Sequence, residues 1–181
     1  CALPICGILV ASKVSSEDNF LRALKRLDHR GPDEHHIVRD GDLFLGHTRL
    51  SIIGVENGKQ PIQWNDGEIS LLVNGELYDH ERIRRDLENE GVHFETSSDS
   101  EIMLHLYRRQ GLGMMSQIRG EFAAVIVDRN KQELHCIRDR FGIKPLFYHL
   151  SKDGQLVVAS EQKAIFALGR LSPELDPNRV R

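Results

Sequence analysis

The sequence predicts an α+β domain with two sheets and helices outside them, and two observations carry that prediction. Short, nearly continuous apolar runs recur at Ile5–Ala11, Phe122–Val127 and Gln155–Ala159, and such runs need cover on both faces. They occur in blocks, with strands first, then a pair of helical stretches, then strands again, an order that suits packed layers of sheet and helix.

Each element has its own local reason. The run Ile5-Cys6-Gly7-Ile8-Leu9-Val10-Ala11 follows Pro4 and gives way to a polar Ser/Lys stretch, so it reads as a buried strand. From Ser16 to His29, Phe20, Leu21, Leu24 and Leu27 fall at helical spacing behind an acidic start, Ser16-Glu17-Asp18. Arg30-Gly31-Pro32-Asp33 ends that helix and is expected to form an exposed loop. Strands are expected at Leu43–Gly46, Leu50–Ile53 and Ile69–Val73, with turns at Glu56-Asn57-Gly58 and Asn65-Asp66-Gly67. Helices follow at Asp79–Glu90 and Ser100–Arg109, the second with Ile102, Met103, Leu106 and Tyr107 turned inward. Strands at Phe122–Val127, Glu133–Arg138, Pro145–His149 and Gln155–Ala159 come next, the last two flanking a Lys152-Asp153-Gly154 turn. A short helix over Glu161–Leu168 closes the series.

Composition excludes several function classes. With 40% hydrophobic and 28% charged residues the 181-residue chain is an ordinary globular one, and one domain is the expectation. The net charge of −3 offers no basic field for a nucleic-acid backbone. No apolar stretch is long enough for a membrane span and no signal peptide is evident, so a cytoplasmic location is expected. Cys1, Cys6 and Cys136 form neither a metal-ligand pattern nor an even disulfide framework, and Cys136 reads as a small buried hydrophobe. His35 and His36 are adjacent and cannot both face one site from a strand, so no metal is expected.

Seven separate segments carry a resemblance: Cys6-Gly7-Ile8, His29-Arg30-Gly31-Pro32-Asp33, Gly46-His47-Thr48-Arg49-Leu50-Ser51-Ile52, Asn74-Gly75-Glu76-Leu77-Tyr78, Ser98-Asp99-Ser100-Glu101, Arg138-Asp139-Arg140-Phe141-Gly142-Ile143-Lys144-Pro145-Leu146 and Ala159-Ser160-Glu161. In this order they resemble the glutaminase domain of asparagine synthetases and related class II glutamine amidotransferases. The resemblance implies a four-layer αββα sandwich of the N-terminal-nucleophile hydrolase type. It also implies hydrolysis of glutamine to glutamate and ammonia through a cysteinyl thioester.

That chemistry asks for a nucleophile, a base, an oxyanion stabiliser and a grip on the amino-acid end of glutamine. By resemblance, the Asn74 side-chain amide and the Gly75 N–H stabilise the oxyanion. A glycine there fits a close approach of backbone to substrate; the plain alternative is an Asn-Gly turn ending a strand. Arg49 is placed to bind the substrate carboxylate with its planar fork, Asp99 the ammonium, and Glu76 the ammonium or its loop. Arg30, Asp33, Arg138, Asp139, Arg140 and Lys144 read as structural ion-pair groups. Asp79 departs from the family, which has asparagine after the tyrosine.

The nucleophile has two candidates. A thiol attacks as thiolate, and only a chain-terminal cysteine carries its own α-amine, of pKa about 8, to take the proton. Cys6 has the family's context but five residues before it; Cys1 has the free amine in the given sequence but not the context. Five extended residues span roughly 16 Å at about 3.3 Å each, so the thiols cannot interchange. The favoured reading takes Cys6 as nucleophile after removal of Cys1–Ile5; Cys1 acting directly and a catalytically dead module are the alternatives. A further rival is an N-terminal-nucleophile hydrolase of another amide.

Residues 1–170 are expected to form the glutaminase domain, and 171–181, with Pro173 and Pro177, a linker toward a synthetase domain or subunit that accepts the ammonia. No cofactor is expected for glutamine hydrolysis. By resemblance, ATP and magnesium belong to the synthetase partner, since the chain has no Ser-Gly-Gly-x-Asp-Ser pyrophosphate loop.

Overall fold

The structure, a computed structural model, describes residues 6–50 and 58–168. The expected strand at Leu50–Ile53, the Glu56-Asn57-Gly58 turn and the linker beyond residue 170 lie wholly or largely outside these residues. Leu50 itself is not in a strand.

Nine strands form two antiparallel sheets among the described residues. In the first, β2 (Glu34–Asp40), β3 (Leu43–Arg49), β1 (Gly7–Ser12), β9 (Leu156–Ala159) and β8 (Phe147–Leu150) lie side by side in that order. In the second, the order is β4 (Ile62–Trp64), β5 (Ile69–Leu77), β6 (Gly120–Asp128) and β7 (Glu133–Arg138). Helices α1 (Glu17–Leu24) and α4 (Gln162–Ala167) cover the first sheet; α2 (His80–Asn89) and α3 (Glu101–Gln110) cover the second.

Alternation along each strand builds three apolar layers. Leu9, Ala11, Val157 and Ala159 turn outward onto Phe20, Leu24 and Leu27. Ile8, Val10, Leu45 and Val158 turn inward and meet Leu72, Val125 and Val127 of the facing sheet. Leu71, Val73, Ala124 and Ile126 turn outward onto Ile102, Met103, Leu106 and Tyr107. Period-two alternation thus places every strand of the centre between two dry layers. The result is the expected αββα sandwich.

Several local expectations need correction. The first helix, capped at its N-terminus by Ser16 accepting from the Asn19 N–H, is α-helical only to Leu24; Lys25–Arg30 tightens into a 3-10 turn. The Arg30–Asp33 loop is not exposed as a whole, because Arg30 and Gly31 are buried. Two strands, β2 and β4, went unread. The Asn74-Gly75 pair is no turn: β5 runs straight through it, pairing Asn74 with Ala123 and Gly75 with Phe122. Cys136 is exposed rather than buried, because it lies on β7, the edge of the second sheet.

Candidate active site

The inner layer changes character at one end. Along β3, inward Leu45 is followed two residues later by His47 and then Arg49; along β5, inward Leu72 is followed by Asn74. All three polar side chains are buried, and Cys6 leads into β1 beside them. A small cavity of about 40 Å³ opens here, lined by Cys6, Leu50, Gly58, Gln60, Val73, Gly75, Glu76, Ser98, Asp99 and Ser100. A larger groove of about 660 Å³ lies on the outer helical face between α2 and α3, lined largely by charged side chains, and holds none of the chemistry-bearing groups. The small cavity is the site on chemical grounds.

Cys6 is held from both ends. Its carbonyl accepts from Arg30 Nε at 2.8 Å, and Arg30 is itself paired with Glu161 at 2.9 Å. Its Sγ lies 3.5 Å from the Leu50 N–H and 3.8 Å from the Leu50 carbonyl. Its φ of 56° is in the left-handed region, so the chain turns sharply into β1 at this residue. Burial pushes the thiol pKa up, while the Leu50 N–H and the charges of Arg49 and Arg30 pull it down and that of Asp99 pushes it up. The net direction is upward, so at neutral pH the resting group is the thiol and its proton must leave on attack.

The opposite wall is an edge of β5. A strand residue's N–H and C=O point to the same side, and alternate residues share that side. Val73 N–H donates to Gln60 Oε1 at 2.6 Å, and Leu77 N–H donates to Asp99 Oδ2 at 2.8 Å. Gly75 lies midway between them, and alternation puts its N–H on that same edge, facing the cavity.

The glycine has a structural reason beside the expected one. Its φ is 141°, and a Cβ here would lie 1.9 Å from the Glu121 carbonyl oxygen of β6. In the structure this approach is to the neighbouring strand; two positions further along the ladder, a Cβ on Gly120 would lie 2.2 Å from the Glu76 carbonyl oxygen. The two glycines let the strands nearly touch beside the cavity.

Charged groups of both signs flank the site. Arg49 is buried, close enough to Cys6 for its charge to lower the thiol pKa, and meets Glu34 Oε2 at 3.4 Å. Asp99 lines the cavity and is buried, with Ser100 Oγ 3.4 Å from its Oδ1. Glu76 lines the cavity too but is exposed. The structure therefore brings together Cys6, Arg49, Asn74, Gly75, Glu76 and Asp99 at one end of the inner layer; Cys1 lies outside the described residues.

Sequence reasoning missed Gln60, Glu34 and His47 as parts of this site. Of the presumed ion-pair residues, Arg30 and Lys144 do form such pairs, Lys144 with Glu121 at 3.5 Å. Asp139 instead accepts the N–H groups of Phe141, Ile143 and Lys144, and Arg138 Nε donates to the Lys144 carbonyl, so these two shape a loop. Asp79, the departure from the family, takes a left-handed φ of 59° before α2 and pairs with Arg119, away from the thiol. Among the described residues no cluster of three His, Cys, Asp or Glu side chains could hold a metal, and no helix is long and apolar enough to cross a membrane.

Two facing antiparallel sheets between helical layers, with a cysteine at the mouth of the inner layer, are the arrangement expected of an N-terminal-nucleophile hydrolase fold. A solved structure with this fold, glutamine phosphoribosylpyrophosphate amidotransferase from B. subtilis complexed with ADP and GMP, superposes with a TM-score of 0.75 at 25% identity over 91% of this chain and 44% of that one. Residues 5–181 match the family model described as "Glutamine amidotransferase domain". The chain belongs to that family. It is 42% identical over 167 residues to a probable glutamine-hydrolysing asparagine synthetase of Dictyostelium discoideum, which covers 89% of this chain and 30% of the relative. Asparagine synthetase 2 of Bacillus subtilis is 38% identical (90% and 22% covered), and amidase chyE of Penicillium rubens 45% identical (87% and 23% covered). The chain thus spans less than a third of the length of these curated relatives.

Proposed function

We propose that this domain releases ammonia from glutamine at Cys6 and delivers it to a synthetase that activates an acceptor. The observation that supports this reading is a single cavity lined by a thiol on one side and by Gly75 and Asp99 on the other, with buried Arg49 beside it. Arg49 takes the α-carboxylate of glutamine and Asp99, with Glu76, the α-ammonium, leaving the side-chain amide directed at the thiol.

Cys6 Sγ attacks the amide carbon and its proton passes to the α-amine of the same residue. The new oxyanion is held by the Asn74 amide and the Gly75 N–H, a kind of contact that supplies about 3–4 kcal/mol. The amine returns the proton to the departing nitrogen, ammonia leaves, and a γ-glutamyl thioester remains. Water then attacks the thioester, giving glutamate and the free thiol. This sequence requires Cys6 to carry a free amine, hence removal of everything that precedes it. Burial pushes the thiol pKa up, which favours a base beside it.

No cofactor enters these steps; ATP and magnesium serve only the synthetase partner. An asparagine-forming partner is the acceptor side that the synthetase relatives support. Expression of the full chain, N-terminal sequencing and ammonia release from glutamine test the proposal together. A chain beginning at Cys6 that releases ammonia, with activity abolished in Cys6→Ala, is the expected outcome. Full activity in Cys6→Ala would exclude Cys6 as the nucleophile.

A further inference from the structure

Strand β4 pairs with β5 only as far as Ile62, opposite Leu71. The next place on that edge of β5 is Val73, beside the cavity, whose N–H and C=O would be left without a ladder partner. Two side chains from different elements take them. Gln60 Oε1 accepts the Val73 N–H at 2.6 Å, and His47 Nε2 lies 3.3 Å from the Val73 carbonyl oxygen. A carbonyl can only accept, so His47 carries its proton on Nε2. Its Nδ1 has no hydrogen-bond partner among the described residues. Gln60 and His47 are both buried, His47 with no exposed surface at all.

We infer that His47 and Gln60 are positioning residues for the oxyanion-binding strand, holding both peptide groups of Val73 so that the Gly75 N–H keeps its direction into the cavity. The inference rests on the reading of Gly75 as an oxyanion donor. The geometry supports it from both flanks. Downstream, the Leu77 N–H is fixed by Asp99; upstream, Val73 is fixed by this pair. Gly75 itself has the backbone freedom of glycine and lacks a side chain to lock it, so its neighbours on the edge must supply the rigidity. A histidine suits the task because its ring bridges from the inner face of one sheet to the backbone of the other, and burial keeps it neutral, with a pKa lowered to about 3. The ring therefore does not exchange protons with substrate near neutral pH.

The test uses the full processed chain carrying His47→Phe, His47→Gln or Gln60→Met, with glutamine turnover, glutamate binding and inhibition by glutamate γ-semialdehyde as readouts. The semialdehyde adds to the thiol and places a tetrahedral oxygen where the oxyanion forms. His47→Phe and Gln60→Met are each expected to lower kcat by about tenfold or more, a fraction of what one donor supplies. KM and glutamate affinity stay within about threefold, and semialdehyde inhibition weakens in step with kcat. His47→Gln, which keeps an N–H donor, recovers most of the loss. Wild-type turnover in folded His47→Phe and Gln60→Met overturns the inference. So does an equal loss of glutamate binding with no recovery in His47→Gln, which marks a merely structural role. Should His47→Phe fail to fold, Gln60→Met decides alone. A parent chain without turnover or semialdehyde binding brings down the functional reading first.

Discussion

At Gly75 a single missing carbon governs how closely two strands approach and, on the proposed reading, the chemistry beside them. Gly75→Ala would drive Cβ into the Glu121 carbonyl oxygen at a φ that side-chain-bearing residues avoid. The expected outcome is a loss of about 2 kcal/mol or more in urea unfolding, with glutamine turnover reduced beyond what the unfolded fraction explains. Arg49 is a cleaner binding probe. Arg49→Ala is expected to raise the KM for glutamine at least tenfold, since bonds to charged groups contribute about 1.5–3 kcal/mol, while kcat changes less. A KM within twofold of the parent would remove Arg49 from the substrate clamp. Cys6, Arg49, Asn74, Gly75, Glu76 and Asp99 were all legible in the sequence, because each sits inside a short motif. Gln60, Glu34 and His47 were not legible as site residues, although His47 lies within the Gly46–Ile52 motif. Their partners are a backbone carbonyl on another sheet, an amide 13 residues away and an arginine 15 residues away, and no local pattern encodes such pairings.

Among the elements, the start of α3 connects stability to the site. Glu101 is buried at the first turn and accepts the N–H groups of Glu95 and Thr96 and the Thr96 hydroxyl, and it also meets His105. Burial alone would raise its pKa, but the hydrogen bonds from His105, Thr96 and the Glu95 amide win and bring it to about 2. A carboxylate with a folded pKa below its unfolded value stabilises fully above about pH 4.5 and loses that stabilisation as pH falls toward about 2. Glu101→Gln is therefore expected to cost about 2–3 kcal/mol at pH 7, with the deficit shrinking between pH 4.5 and 2 in urea unfolding; a constant deficit would assign the loss to packing. The segment Glu101 ties down carries Asp99, so substrate binding should weaken with it. Elements with clean periodicity, such as β6, β7 and α3, were legible to within two residues. The polar edge strand β2, whose sequence Glu-His-His-Ile-Val-Arg-Asp shows no clear alternation, and the three-residue β4 were not. An edge strand has one neighbour and partial exposure, so its sequence is only weakly patterned.

For the whole molecule, the layer order was legible only in part from periodicity, which predicts two covered sheets, and in full from the motifs taken together. Which residues of each strand face inward follows from register, and that is a property of the pairing rather than of any one segment. The groups proposed to react are divided between the sheets: Cys6 and Arg49 belong to the first, Asn74, Gly75 and the Asp99 anchor to the second. Leu72→Ala, one residue pair from Asn74 on the inner face, is expected to cost about 2–5 kcal/mol. It is also expected to slow thioester formation in the fraction that remains folded. Stopped-flow acylation with glutamine at a temperature well below the unfolding midpoint separates the two effects, and an unchanged acylation rate would show the inner layer to be mechanically indifferent. The distance between the Cys6 sulfur and the Gly75 N–H is thus set by the girth of the aliphatic side chains stacked between two sheets. Packing volume in this domain acts as a gauge block, and a methylene gained or lost far from glutamine becomes a change in how accurately two walls close on one atom.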